Sequence, residues 1–76
     1  MDTESLSNTL RVQRAKHDLT QEQLANLVGV SRKTINTVER SIFVPSTLLA
    51  LKLARVLACS VEELFSIEKS SNNSDD

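Results

Sequence analysis

At 76 residues with a net charge of −1, the chain has room for one domain and too little buried volume for a deep catalytic cavity beside a stable core. Two Phe, no Trp or Tyr, one Gly and one Pro leave Leu, Val, Ile and Ala to build that core, which predicts an all-α fold. The lone Cys59 forms no internal disulfide and is expected to be an inert buried thiol; there is no metal-ligand cluster or Gly-rich phosphate loop, so neither metal nor cofactor is expected.

No apolar run approaches the roughly 20 residues that span a bilayer, and no signal-peptide pattern is present, so a cytoplasmic protein without a membrane partner is expected. The charge is unevenly placed. Residues 5 to 61 hold eight basic side chains against three acidic ones, whereas both ends are acidic. A basic middle of this kind suits phosphate on one face. Residues 1 to 4 read as a flexible N-terminus and residues 68 to 76 as a disordered acidic tail, leaving 5 to 67 as the domain.

Five short helical patterns follow in chain order. The first runs from about Ser7 to Lys16, with Leu6, Leu10 and either Val12 or Gln13 on its inner side. Thr20, with Gln23 three residues on, forms a capping box for the second, whose buried face is Leu24, Ala25, Leu27 and Val28. Gly29 ends it with a positive φ. Ser31 caps the third helix, where Ile35 and Val38 face inward and which ends at Glu39 or Arg40. Pro45-Ser46 opens the fourth and most apolar helix, with Leu48, Leu49, Leu51, Leu53, Ala54 and Leu57. It is apolar on too many sides for its own domain to cover. Ser60 and Glu63 form a second capping box for a fifth helix that ends around Phe65 or Ile67.

Residues 20 to 39 thus read as helix, Gly-containing turn, helix. Two helices crossed in this way let the second present its first turns to the major groove while the first lies across the phosphates. Arg32, Lys33, Asn36 and Thr37 project away from the face marked by Ile35 and Val38. Arg and Lys match guanine O6 and N7, Asn matches adenine N6 and N7, and a Thr methyl packs on that of thymine. Unengaged solvated side chains are the plainer reading of the same pattern.

The linked segments Leu19-Thr20-Gln21-Glu22-Gln23-Leu24-Ala25, Val28-Gly29-Val30-Ser31-Arg32-Lys33-Thr34-Ile35 and Val38-Glu39 resemble the Xre (Cro/CI-like) helix-turn-helix family. The resemblance spans about residues 6 to 67 and continues through Phe43-Val44-Pro45-Ser46, Ala50-Leu51-Lys52-Leu53-Ala54 and Val61-Glu62-Glu63-Leu64-Phe65, as in a subgroup of very small bacterial and phage-like regulators. It implies a five-helix lambda-repressor-like DNA-binding domain and a transcriptional regulator, not an enzyme. By position it implies base contacts from Arg32, Lys33 and Thr37 with Asn36, and phosphate contacts from Gln21, Ser31 and Arg40. It also implies an ion pair between Arg14 and Glu39 that ties the first helix to the end of the third.

The chain departs from the family pattern in three places. Arg40-Ser41-Ile42 stands where Asn-Gly is usual, so the turn there is expected to lose its positive-φ residue. Gln13 replaces a common Leu, and His17-Asp18 replaces a Lys-Gly-like turn; His17 is expected at the surface.

One recognition helix reads few base pairs, so a homodimer on an inverted repeat of double-stranded DNA is expected, acting as a repressor with no small-molecule effector evident. Leu57, Val61, Leu64, Phe65 and Ile67 are the expected dimer surface. The alternative reading is a protein-interaction module that uses the apolar surface of the fourth and fifth helices.

Overall fold

The helices start where side-chain oxygens take up the amides that a first turn leaves unbonded. The computed structural model describes residues 3–70; residues 1–2 of the expected N-terminal tail and 71–76 of the expected acidic tail lie outside the described residues. The order is β1 (Thr3–Asn8), α1 (Leu10–Lys16), α2 (Gln21–Val28), α3 (Arg32–Glu39), α4 (Thr47–Val56), α5 (Val61–Leu64) and β2 (Phe65–Ser70).

At Thr20 the hydroxyl accepts from the Gln23 amide at 3.0 Å, while Gln23 Oε1 accepts from the Thr20 amide at 2.9 Å. Ser60 and Glu63 repeat this reciprocal arrangement at 3.1 and 2.7 Å. Ser31 and Ser46 each accept from the amide three residues on, at 3.2 and 3.1 Å. Such caps are worth about 1 kcal/mol apiece.

Among the described residues, helix ends use the left-handed conformation four times. Gly29 ends α2 at φ 77°, and the other three positions are not glycine: Asp18 at φ 55°, Ser41 at φ 60° and Ala58 at φ 54°. Ser41 therefore keeps the positive φ that the missing glycine was expected to remove. Its amide bonds to the Val38 carbonyl at 3.0 Å and the Ile42 amide to the Thr37 carbonyl at 2.9 Å, the double bond of a Schellman ending. Asn8 Nδ2 donates to the same Val38 carbonyl at 2.9 Å and lies 3.4 Å from Ser41 Oγ, which helps hold the strained residue in place.

The core gathers at one side of each helix. Leu10, Leu24, Ile35, Val38, Leu53, Leu57 and Leu64 are fully buried, with Ala25, Val28, Leu49, Ala54 and Phe65 around them. Leu27 was expected on this face and is exposed; of the alternatives Val12 and Gln13, Val12 is exposed and Gln13 half-buried, while Leu48 and Leu51, on a helix read as apolar on more sides than its domain covers, are exposed as well. On α2 the buried arc is set by Leu24, Ala25 and Val28, and on α4 by Leu49, Leu53 and Ala54. At 3.6 residues per turn Leu27, Leu48 and Leu51 fall outside those arcs.

The all-α expectation needs correction, because β1 and β2 form a two-stranded antiparallel sheet with register Thr3↔Ser70 through Asn8↔Phe65. The first helix accordingly starts at Leu10, not Ser7, and the fifth stops at Leu64, short of Phe65 and Ile67. Residues 3–4 and 68–70, assigned above to the tails, are strand. The physical reason is long-range: each strand gains its backbone bonds from the other end of the chain. Thr9 continues the pairing, its amide donating to the Leu64 carbonyl at 2.9 Å and its hydroxyl to the Glu63 carbonyl at 2.7 Å.

The expected dimer residues also divide. Leu57, Leu64 and Phe65 are 1%, 1% and 8% exposed and close the core of their own chain, so they have almost no surface left for a second one. Val61 is half-buried against that core, and Ile67 is 70% exposed.

A non-glycine residue in the left-handed region costs roughly 1–2 kcal/mol. Replacing Ala58 by Gly removes that cost against a small gain in unfolded-chain entropy, so Ala58→Gly stabilises by about 1 kcal/mol and raises Tm by roughly 4–8 °C. Thermal unfolding followed by circular dichroism checks this; a Tm at or below the parent value contradicts it.

Candidate nucleic-acid interface

The geometry of the interface starts from the fixed end of α3. Arg14 of α1 donates from Nε to Glu39 Oε2 at 2.7 Å and from Nη2 to Oε1 at 3.3 Å, while Nη1 donates to the Leu19 carbonyl at 2.8 Å. The two side chains are only 16% and 6% exposed. A planar guanidinium thus spends its fork on one carboxylate and one carbonyl, and the carboxylate is held in a known place.

Gln21 uses that place. Its Nε2 donates to Glu39 Oε1 at 3.1 Å, and its Oε1 lies 3.5 Å from Asn36 Nδ2. One chain of polar contacts therefore runs from α1 through the end of α3 to the start of α2 and back to the middle of α3. Sequence reasoning assigned Gln21 to phosphate and Asn36 to bases but did not anticipate that they lie beside each other. The signal was available in retrospect: Gln21 is the first residue of α2, next to the carboxylate at the end of α3.

Beyond the network α3 turns its charged side outward. Arg32 and Lys33 are exposed in its first turn and share a shallow depression of about 320 Å³ with Asn36. Asn36 and Thr37 are half-buried. The Thr37 hydroxyl donates back to the Thr34 carbonyl at 3.0 Å, so its methyl is the part left to make contacts. Ser31 is exposed, its oxygen occupied by the Thr34 amide and 3.0 Å from the Thr34 hydroxyl. Arg40, exposed at the C-cap of α3, stands at the opposite end of the helix from Arg32. The structure thus brings Arg32, Lys33 and Asn36 together, joins Asn36 to Gln21, and leaves Ser31 and Arg40 flanking the helix.

Elsewhere the chemistry is sparse. His17 is exposed, and its Nε2 lies 2.8 Å from the Leu57 carbonyl, linking the ends of α1 and α4. Burial pushes the Cys59 thiol above its ordinary value, Glu63 adds to this, and Lys16 opposes it. A thiol held in its neutral form is a poor nucleophile at neutral pH. Among the described residues no group of His, Cys, Asp and Glu is placed to hold a metal ion, and no helix is long and apolar enough to cross a membrane.

The order of these elements and the arrangement about α2 and α3 define a helix-turn-helix domain. A helix-turn-helix family model matches residues 10–64. An HTH-type transcriptional regulator from Methanocaldococcus jannaschii is 43% identical over 63 residues, covering 83% of this chain and 96% of the relative. The regulator YgzD of Bacillus subtilis is 36% identical over 64 residues, covering 84% and 97%. Among solved structures, the P22 c2 repressor in complex with a synthetic operator superposes with a TM-score of 0.68 at 36% identity, covering 70% of this chain and 80% of that one. The restriction-modification controller protein C.AhdI of Aeromonas hydrophila gives 0.67 at 39% identity, covering 71% and 82%.

The chain belongs to the Xre (Cro/CI-like) helix-turn-helix family. It is a transcriptional regulator with a DNA-binding fold, in a family of regulators and not of enzymes. The fold is a helical helix-turn-helix fold like that of the P22 c2 repressor, and in this chain the described residues form five helices and a two-stranded sheet.

Removing one partner from a largely buried ion pair leaves the other charge without compensation. Glu39→Ala therefore destabilises by about 3–5 kcal/mol, while Lys33→Ala, at an exposed position, changes stability by less than about 0.5 kcal/mol. Urea unfolding of both variants checks the contrast; equal midpoints contradict it.

Proposed function

We propose that this regulator binds double-stranded DNA sequence-specifically as a homodimer and represses transcription by occupying an inverted-repeat operator, in the cytoplasm. The observation that carries the reading is the grouping of Arg32, Lys33 and Asn36 on the outward side of α3, opposite the buried Ile35 and Val38. In this reading α3 enters the major groove; Arg32 and Lys33 address guanine edges, Asn36 an adenine edge, and the Thr37 methyl a thymine methyl. Gln21, Ser31 and Arg40 bond the phosphates on either side and set the helix's register on the duplex.

The contact between Gln21 and Asn36 sharpens these roles. An amide at the phosphate and an amide at the bases that lie side by side act as one pre-positioned unit, since neither needs to be ordered separately on binding. The P22 c2 repressor, whose structure is of a complex with a synthetic operator, supports the same use of the fold in this chain. Two copies are required because one module reads only a short half-site; a two-fold dimer presents its recognition helices about 34 Å apart, one turn of the duplex. Occlusion is the mode of repression that a single small domain performs without an effector.

Selection of bound sequences from a random DNA library, at moderate and raised salt, tests this. The expected result is an inverted repeat whose binding weakens steeply with salt, as counterion release requires. Arg32→Ala is expected to lose about 1–3 kcal/mol and to relax preference at one position in each half-site. No enriched sequence at either salt concentration overturns the reading in favour of a protein partner on the exposed Leu48 and Leu51 side of α4.

A further inference from the structure

The sheet that joins the chain ends is a two-stranded ribbon, and a ribbon of that size is marginally stable in water by itself. On β1, Thr3 to Ser5 are exposed and Leu6 to Asn8 half-buried, whereas on β2 Phe65 is buried and Ser66 to Lys69 are exposed, so that at Leu6↔Ile67 and Ser7↔Ser66 the β2 residue is the more open one. The outer side of β2 is therefore the more open of the two edges.

The backbone of that edge is readable from the pairing. In an antiparallel ladder hydrogen-bonded and non-bonded pairs alternate. Thr9 bonds to Leu64 at 2.9 Å, so along the register Ser7↔Ser66 and Ser5↔Glu68 are bonded pairs and Leu6↔Ile67 is a non-bonded one. The amide and carbonyl of Ile67 consequently face away from β1, toward the open edge. Its side chain is 70% exposed on the same face of the sheet as Leu6.

We infer that β2 pairs antiparallel with β2 of a second copy, forming a continuous four-stranded sheet across the two-fold axis, with Ile67 opposite Ile67. This inference rests on the homodimer reading above and names its interface. A two-fold axis normal to the sheet keeps like faces on one side, which restricts the pairing to a few registers. With Ile67 opposite itself, the two residues exchange both backbone bonds, Ser66 stands opposite Glu68 of the second copy, and Leu6, Ile67, Ile67 and Leu6 form one apolar row. One step along puts Glu68 opposite Glu68, a like-charge pair that disfavours the sheet. One step back sets Glu68 against Leu64, where the strand has already turned into α5. Of these registers the one centred on Ile67 pairs the longer stretch, Phe65 to Lys69, without setting like charges directly opposite, and this favours a second copy of this chain as the occupant of the edge.

Cross-linking in a Cys59→Ala background tests the pairing. At a directly opposed bonded pair the Cα atoms are about 5.5 Å apart, within the range that a disulfide spans. Ile67→Cys is expected to convert to covalent dimer under mild oxidation, while Leu51→Cys, also exposed but on α4, converts far more slowly. Sedimentation of the unmodified protein is read alongside. A dimer by sedimentation in which Ile67→Cys cross-links no faster than Leu51→Cys overturns strand pairing and leaves the homodimer standing. A chain that sediments as a monomer at every concentration overturns both.

Discussion

The Arg14–Glu39 pair is the constraint on which the rest of the interface depends. It fastens α1 to the last turn of α3 and, through the second carboxylate oxygen, places Gln21 at the start of α2. A buried pair of this kind contributes less to net stability than its short distance suggests, because two charges have lost their water. Its effect is geometric. In the proposed function α3 bears the side chains that address DNA, and such a helix is useful only when its angle to the rest of the domain is set before binding.

The same reasoning explains why the polar network can sit next to the apolar core. Ile35 and Val38 hold one side of α3 by packing, and Glu39 holds its end by charge, so the helix is fixed along its length while its first turn remains exposed. Arg32 and Lys33 there are free of helix-packing duties. Schellman endings at Asp18, Ser41 and Ala58 let the chain change direction sharply, at the cost of left-handed residues that are not glycine. Asn8, bonded to the Val38 carbonyl, ties the ending of α3 to the sheet, so the ribbon and α3 share one support.

What could be read from the sequence was local. Thr20 with Gln23, Ser31, and Ser60 with Glu63 mark helix starts by chemistry confined to three or four residues, and the structure bonds them in that way. The polar side of α3 follows from helical periodicity and the positions of Ile35 and Val38. The sheet was not legible, because six-residue segments at opposite ends of the chain carry no mark of each other until they pair. Likewise Leu57, Leu64 and Phe65 look from spacing alone like spare apolar surface; only the crossing of α4, α5 and the strands shows that the domain consumes them itself. The turn at Ser41 illustrates the limit of residue preference: tertiary bonds hold a serine where glycine is easier.

Protection of guanine N7 from methylation on a selected DNA site measures most directly whether α3 reads the major groove. The account predicts protected guanines in two symmetric half-sites about one helical turn apart, with protection lost in Arg32→Ala or Lys33→Ala while the fold is kept. Unprotected N7 atoms on DNA that the protein nonetheless binds tightly would contradict it, since binding would then run through phosphates or the minor groove and not through the side chains that the domain holds in place.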